Sequence, residues 1–107
     1  MRDLVVVLTT MPDDARTDEV ARALVDERLA ACVNVLPAMT STYRWKGAVE
    51  RETERQVVIK TTRERLSALE ARVRELHPYE LPEFLVLTVE SANAGYAAWV
   101  SEETARR

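Results

Sequence analysis

The chain has 107 residues, a length that fits one domain with a modest hydrophobic core, so we predict a single domain over residues 1–107. Its formal net charge of −3 argues against general nucleic-acid binding, which needs a basic face. The five consecutive apolar residues near the N-terminus are too few for a signal peptide or a membrane span, and one cysteine excludes an internal disulfide. We therefore expect a cytoplasmic protein whose partners include neither nucleic acid nor a membrane.

The first thirty residues predict a strand followed by a helix. Residues 4–8 form a short continuous apolar run that is β-branched in the middle, which is typical of a buried strand. Residues 9–14 have the composition of a loop, and Asp13 or Asp14 can cap the helix that follows. Apolar residues then recur at helical spacing over residues 15–30, which predicts a helix there.

Residues 31–62 predict one long β-hairpin around the turn Lys46-Gly47. Its first arm, Cys32 to Trp45, would extend about 46 Å at about 3.3 Å per residue, whereas ordinary strands have about 5–6 residues. Pro37 lacks a backbone N–H, which places this arm at a sheet edge or introduces a break there. A long protruding edge strand is an aggregation hazard unless something pairs with it, most simply another copy of the chain.

The rest of the chain predicts two helices and one strand. Thr61 and Glu64 have capping-box spacing and predict the start of a helix with a regular apolar face. That helix should end at His77, because proline disfavours helix in the residue before it. The elements predicted after it are a loop at residues 79–83, a strand at 84–89, a turn at 91–95 and a short helix at 96–104.

The order β-α-β-β-α-β with an extra C-terminal helix predicts an α+β, ferredoxin-like fold with an antiparallel sheet. Both crossover helices then cover one face of the sheet, and the other face is normally polar. In this chain the strands do not alternate: Leu4, Val6 and Leu8 point to one face, and Val5 and Val7 point to the other. A second apolar face that two helices cannot cover indicates an interface. The hairpin and the sheet therefore both predict self-association.

Five segments of the sequence resemble the CutA divalent-cation-tolerance family, and together they span nearly the whole chain. They are Val7-Leu8-Thr9-Thr10 with Pro12, Leu29-Ala30-Ala31-Cys32-Val33-Asn34 with Pro37, Ser41-Thr42-Tyr43-Arg44-Trp45-Lys46-Gly47, Ile59-Lys60-Thr61, and His77-Pro78-Tyr79-Glu80-Leu81-Pro82-Glu83. The resemblance implies a ferredoxin-like subunit in a tight homotrimer, related in architecture to the PII signalling proteins. It also implies a non-catalytic role in tolerance of divalent metals, above all copper.

The resemblance makes Cu(II) or another divalent cation the expected ligand. The candidate ligands in this chain are His77, Glu80, Glu83 and Cys32. Imidazole and thiolate both bind transition metals, but one histidine cannot hold such a metal alone. Some CutA members have a cysteine where this chain has Thr9 and a histidine where it has Leu76, so the affinity should be weak. The alternatives are that His77 packs on Tyr79 at its helix end and that Cys32 is a buried core residue.

A second set of candidates concerns an inter-subunit cleft or interface. Its members are Tyr43, Trp45, Lys60, Tyr79 and Trp99. Because aromatic side chains favour interface cores, Tyr43 and Trp45 at the hairpin tip either anchor a subunit contact or grip a ligand. Lys60 is either part of a polar cleft or an ordinary solvated surface residue.

The sequence leaves several classes of function open. The first is a trimeric metal-tolerance protein, and the alternatives are a PII-like sensor of a nucleotide or other small ligand and a trimeric scaffold for an unidentified protein partner. Two glycines and no glycine-rich phosphate loop weaken the sensor. A small hydrolase such as an acylphosphatase is disfavoured because residues 9–14 carry acids where an anion cradle would need arginine, and His77 and Cys32 lack a readable catalytic partner.

Overall fold

A computed structural model describes residues 3–106; residues 1, 2 and 107 of the predicted domain lie outside the described residues. The elements in chain order are β1 (Leu4–Pro12), α1 (Ala15–Asp26), β2 (Cys32–Trp45), β3 (Ala48–Thr62), a 3₁₀ turn (Arg63–Arg65), α2 (Leu66–Leu76), β4 (Leu85–Thr88) and α3 (Ala94–Glu103). The strands form one antiparallel sheet in the order β2-β3-β1-β4. This order confirms the predicted α+β, ferredoxin-like fold with an additional C-terminal helix.

The hydrophobic core lies between the sheet and the helices α1 and α2. Val7 of β1 and Ile59 of β3 pack there against Leu24 of α1 and Leu69 of α2, and all four are at most 1% exposed. Alternate residues point to the opposite sheet face, which we call the open face. Leu8 on that face is half-buried, and α3 covers only one end of it through a small cluster of Leu4, Ala31 and Val100. The second apolar face predicted from the sequence is therefore present.

The β2–β3 hairpin extends well past the rest of the sheet. Its two-residue turn has positive φ at both positions, 48° at Lys46 and 83° at Gly47, which matches the twist of the flanking strands. The pairing of β1 with β3 ends at Glu54, so residues 48–53 pair only with β2 and project about 20 Å. β2 is an edge strand, and its register shifts between Val35 and Ala38, where Pro37 lies. The hairpin, its edge position and its break are confirmed.

β1 is longer than predicted. Residues 9–12, which we predicted as loop, continue the strand and pair with residues 54–57 of β3. The long β3 supplies partners for this extension, and the ladder overrides the local loop composition. Pro12 is the last residue of the strand, where a missing N–H is tolerated.

Two helix boundaries also correct the predictions. Helix α1 ends at Asp26 and not at residue 30, because Arg28 adopts a left-handed φ of 61° and the N–H groups of the next two residues both bond to the Leu24 carbonyl. The capping box predicted at Thr61 and Glu64 is absent. Thr61 lies inside β3, where its hydroxyl donates to the Leu29 carbonyl at 2.7 Å, and the first turn is a 3₁₀ turn. Asp14 does cap α1, as predicted.

Along residues 3–106, the helices are all too short and too polar to cross a membrane.

Candidate functional site

The hairpin and the loop of residues 77–84 enclose a cleft of about 610 Å³ on the open face. The strands present every second residue to this cleft, as strand geometry requires. The loop follows α2, which ends where Pro78 prevents a further helical turn. The residues that matter for its chemistry are Tyr43 and Trp45 from β2, Glu54 and Gln56 from β3, and Tyr79 and Glu83 from the loop.

His77, at the start of this loop, is buried, and both of its ring nitrogens are engaged. Nδ1 accepts a hydrogen bond from the backbone N–H of Tyr79 at 3.2 Å, and Nε2 lies 2.7 Å from the carbonyl oxygen of Thr10. Since Nδ1 must accept, Nε2 carries the proton and donates it to the carbonyl. Burial lowers the pKa of His77, against the opposing effects of the Thr10 hydrogen bond and the charge of Glu54. The ring is therefore neutral and offers no free lone pair to a metal.

The other candidate metal ligands are not gathered around His77. Glu80 lies 3.6 Å from the ammonium of Lys46, and Glu83 accepts a hydrogen bond from Gln56 at 3.0 Å. Cys32 lies at the far end of the open face, level with Lys60 in the β2–β3 ladder. No three His, Cys, Asp or Glu side chains of residues 3–106 come together in a group that could hold a metal ion. Within one chain, these residues do not fit a resident metal ion.

Two tyrosine–glutamate hydrogen bonds cross the cleft and the hairpin. The Tyr79 hydroxyl donates to Glu54 at 2.9 Å, and the Tyr43 hydroxyl donates to Glu52 at 2.5 Å. The bond to Glu52 raises the pKa of Tyr43 to about 12, and burial followed by the bond to Glu54 raises the pKa of Tyr79. Both phenols stay protonated at neutral pH, so they serve as hydrogen-bond donors and not as bases or nucleophiles.

Sequence reasoning missed Glu54 and Gln56, which form the floor of the cleft. Glu54 is only 8% exposed, and Gln56 bonds to both the Thr9 carbonyl and Glu83. The signal that could have found them is their register. In the β2–β3 ladder Glu54 lies opposite Met39, which is on the same face of the hairpin as Tyr43 and Trp45.

The five interface candidates fall into two places. Tyr43, Trp45 and Tyr79 line the cleft, and Lys46 lies 5.5 Å above the ring centre of Trp45. Lys60 is instead at the other end of the open face, where it donates to Asn34 at 2.6 Å. Trp99 is on α3 and is 40% exposed; its ring centre lies 5.5 Å from that of Tyr96, with the two ring planes tilted by 43°.

Comparison with known proteins gives a match over almost the whole chain. The family model described as CutA1 divalent ion tolerance protein matches residues 5–103. The divalent-cation tolerance protein CutA of Thermus thermophilus is 44% identical over 99 residues, which are 92% of this chain and 96% of that protein. A Xenopus laevis protein named Protein CutA homolog is 46% identical over 87% of this chain, and the match spans 62% of the Xenopus protein.

Solved structures show the same likeness. The structure of CutA from Xylella fastidiosa has a TM-score of 0.93 and 40% identity, covering 96% of this chain and 99% of that chain. The Cut A1 structure from Thermus thermophilus has a TM-score of 0.92 and 43% identity, covering 95% and 99%. The resemblance carried by the hairpin tip and by the segment from His77 to Glu83 is confirmed. The chain belongs to the CutA1 divalent ion tolerance protein family.

Proposed function

We propose that the protein acts in the tolerance of divalent cations as a non-catalytic, cytoplasmic, single-domain homotrimer. Membership of the family supports the cation-related role. The observation that supports the proposed homotrimer is that the sheet has two free edges and that one of its edge strands, β4, is apolar and exposed. Leu85, Val86 and Leu87 of β4 are 52%, 41% and 49% exposed. An exposed apolar edge strand tends to pair with another chain, and it therefore indicates an interface.

The two free edges suggest how copies associate. β2 forms one edge of the sheet and β4 the other, so β4 of one copy can approach β2 of the next. Head-to-tail contacts generate a closed ring when the rotation between copies closes, and the CutA resemblance implies three copies. In this arrangement Tyr43, Trp45 and Tyr79 contact a neighbouring copy. Lys60 and Trp99 contact it at the other end of the open face.

We propose that the protein binds a divalent cation weakly and reversibly and does not hold one permanently. Because His77 has no free nitrogen, it joins a metal site only after losing a hydrogen bond to Tyr79 or Thr10. The carboxylates of Glu80 and Glu83 are exchangeable donors for Cu(II) or another divalent cation. Cys32 is too far along the sheet to share a metal with them in the same chain.

The cleft favours a second candidate function, a PII-like sensor of a small ligand or a trimeric scaffold for a protein partner. Its volume of about 610 Å³ is in the range of small-molecule sites, which are typically about 300–1,000 Å³. Its polar groups converge from β3 and the loop, as in a site that orients a ligand.

The proposal is tested by light scattering and calorimetry on the metal-free protein. We expect a mass of about 37 kDa, three times the 12.2 kDa chain, and weak heats with Cu(II) that fall in a Glu80→Gln, Glu83→Gln double variant. The matched control is Glu70→Gln, Glu75→Gln, which removes the same charge from α2. A mass of one chain at every concentration contradicts the trimer. Tight copper binding that is lost in His77→Ala contradicts the weak carboxylate site, and ATP heat without metal heat favours the sensor.

A further inference from the structure

A second cavity lies away from the cleft, where the end of α1, the start of α2 and the chain after α3 meet. It has a volume of about 390 Å³, and we call it the arginine pocket. Its lining residues are Asp26, Glu27, Arg28, Arg65 and Arg106. None of them lines the cleft. The candidate metal ligands and interface residues do not include any of them, so the pocket is independent of the site described above.

Arg65 is the buried cation of this pocket. It is only 8% exposed and lies at the N-cap of α2, where its Nε donates to the carbonyl of Arg28 at 3.3 Å. Between residues 3 and 106, no carboxylate lies within ion-pair distance of Arg65. A buried guanidinium without a counter-charge is unfavourable, and an anion in the cavity removes that cost.

The two acids of the pocket do not provide the missing counter-charge. Both oxygens of Asp26 accept from Nε of Arg22, at 3.1 and 3.0 Å. Glu27 is held by the guanidinium of Arg72 through two bonds of 2.9 Å. Each carboxylate is therefore paired with an arginine that does not line the cavity, and neither is paired with an arginine of the pocket.

The other two arginines of the pocket, Arg28 and Arg106, also lack a short ion pair with a carboxylate of the described residues. Arg28 donates to the backbone carbonyl of Glu103 at 3.2 Å, and its ion pair with the Glu103 carboxylate is long, at 3.8 Å. Arg106 is exposed and has no ion pair with any residue that the structure describes. Three arginines thus line one small cavity, and among the described residues their only ion pair is the 3.8 Å contact of Arg28 with Glu103.

We propose that the arginine pocket binds a small phosphate-bearing anion, such as pyrophosphate or a phosphate ester. A guanidinium presents parallel N–H donors that match phosphate oxygens, and its bonds to phosphate are charge-assisted. A cavity of about 390 Å³ accommodates a small molecule and not a polymer. This site goes beyond the proposed role in cation tolerance, because its ligand is an anion and its residues are different.

The test is calorimetric titration of the full chain with inorganic pyrophosphate at constant ionic strength. Arg106→Gln removes one guanidinium at an exposed position. Arg28→Asn removes another, and asparagine tolerates the left-handed backbone that this position requires. The matched control is Arg74→Gln on α2, whose side chain is 74% exposed and pairs with Glu70 outside the pocket. All three variants change the net charge by the same amount.

We expect one saturable pyrophosphate site per chain and a loss of about tenfold in affinity for Arg106→Gln and for Arg28→Asn. Arg74→Gln should change the affinity by less than about twofold, because an exposed charge elsewhere is screened. Absence of saturable binding, or an equal loss in Arg74→Gln and Arg106→Gln, overturns the proposal. The mass and the cation heats of the Arg106→Gln variant stay those of the parent protein, so this result is separate from the test of the trimer.

Discussion

At the scale of single residues, Thr9 of β1 and Thr61 of β3 are both buried against the helices, but they differ in the hydrogen bonding of their hydroxyl groups. The hydroxyl of Thr61 donates to the Leu29 carbonyl, whereas the hydroxyl of Thr9 is the one buried side-chain polar atom without a partner among residues 3–106. A buried polar group with no partner carries its full desolvation cost, about 1–3 kcal/mol. Thr9 is thus a position at which the core is less stable than an apolar side chain of the same shape would make it.

Replacing each threonine with valine should separate these two cases. Thr9→Val should leave the free energy of unfolding unchanged or raise it by about 1 kcal/mol, because only an unsatisfied hydroxyl is lost. Thr61→Val should lower it by about 1–3 kcal/mol, because the Leu29 carbonyl loses its donor. Urea unfolding at one fixed protein concentration measures both. Equal destabilisation by the two variants would mean that Thr9 has a hydrogen-bond partner in solution.

His77 should make stability depend on pH in a defined direction. Burial holds its pKa in the folded protein below the ordinary value of 6.5, so the unfolded chain takes up a proton before the folded protein does. Its contribution to the free energy of unfolding is complete above about pH 6.5 and declines as the pH falls through the folded-state pKa.

The measurement is urea unfolding between about pH 7.5 and 5.5, where the only histidine of the chain titrates and most carboxylates stay ionised. His77→Gln should be less stable at pH 7.5 but should show a flatter dependence on pH. A slope as steep as that of the parent protein would assign the pH dependence to another group.

At the scale of elements, β4 is the least protected strand of the sheet. It has four residues, all of them exposed, and within the described chain it pairs only with β1. Leu85 and Leu87 pair with Leu8 and Val6 of β1 and point to the open face. The strand therefore presents an apolar side and an unpaired backbone edge together, which are the two features that a neighbouring copy would cover.

A charge on β4 should weaken the assembly. Leu87→Glu places a carboxylate in the proposed interface, where burial of an unpaired charge is unfavourable, so the trimer should dissociate at higher protein concentrations than in the parent protein. Ala71→Glu on α2 is the control, because Ala71 is exposed on a helix that covers the opposite face of the sheet. Light scattering over a dilution series measures the mass. If both variants keep the parent mass at every dilution, Leu87 is not in the interface.

At the scale of the whole molecule, most of the fold could be predicted because its signals are local. The two-residue turn, the continuous apolar runs of the strands and the apolar helix faces lie within short segments, and they predict the element order and the open face. The extension of β1 could not be read locally, because residues 9–12 are strand only where residues 54–57 pair with them. The end of α1 was missed because Arg28, and not glycine, takes the left-handed position.

The candidate site was predicted less completely than the fold, for the same reason. The residue types of Tyr43, Trp45 and Tyr79 predict an interface or a ligand contact, and the structure places all three in the cleft. The state of the His77 ring depends on the carbonyl of Thr10, which comes from a strand 67 residues earlier, and no local pattern reports it. Long-range backbone contacts therefore decide which candidate side chains are free to bind a ligand.

The position of β1 in the middle of the sheet sets an order of events during synthesis on the ribosome. β1 precedes both of its neighbours in the sheet, β3 and β4, so Val5 can pair with Thr61 on one side and with Thr88 on the other only after those residues have been made. The hairpin has no such delay, since Trp45 and Ala48 pair across the turn as soon as both have been added. The nascent chain thus holds an unpaired apolar strand until residue 62 has been added, and one edge of that strand stays unpaired until β4 follows.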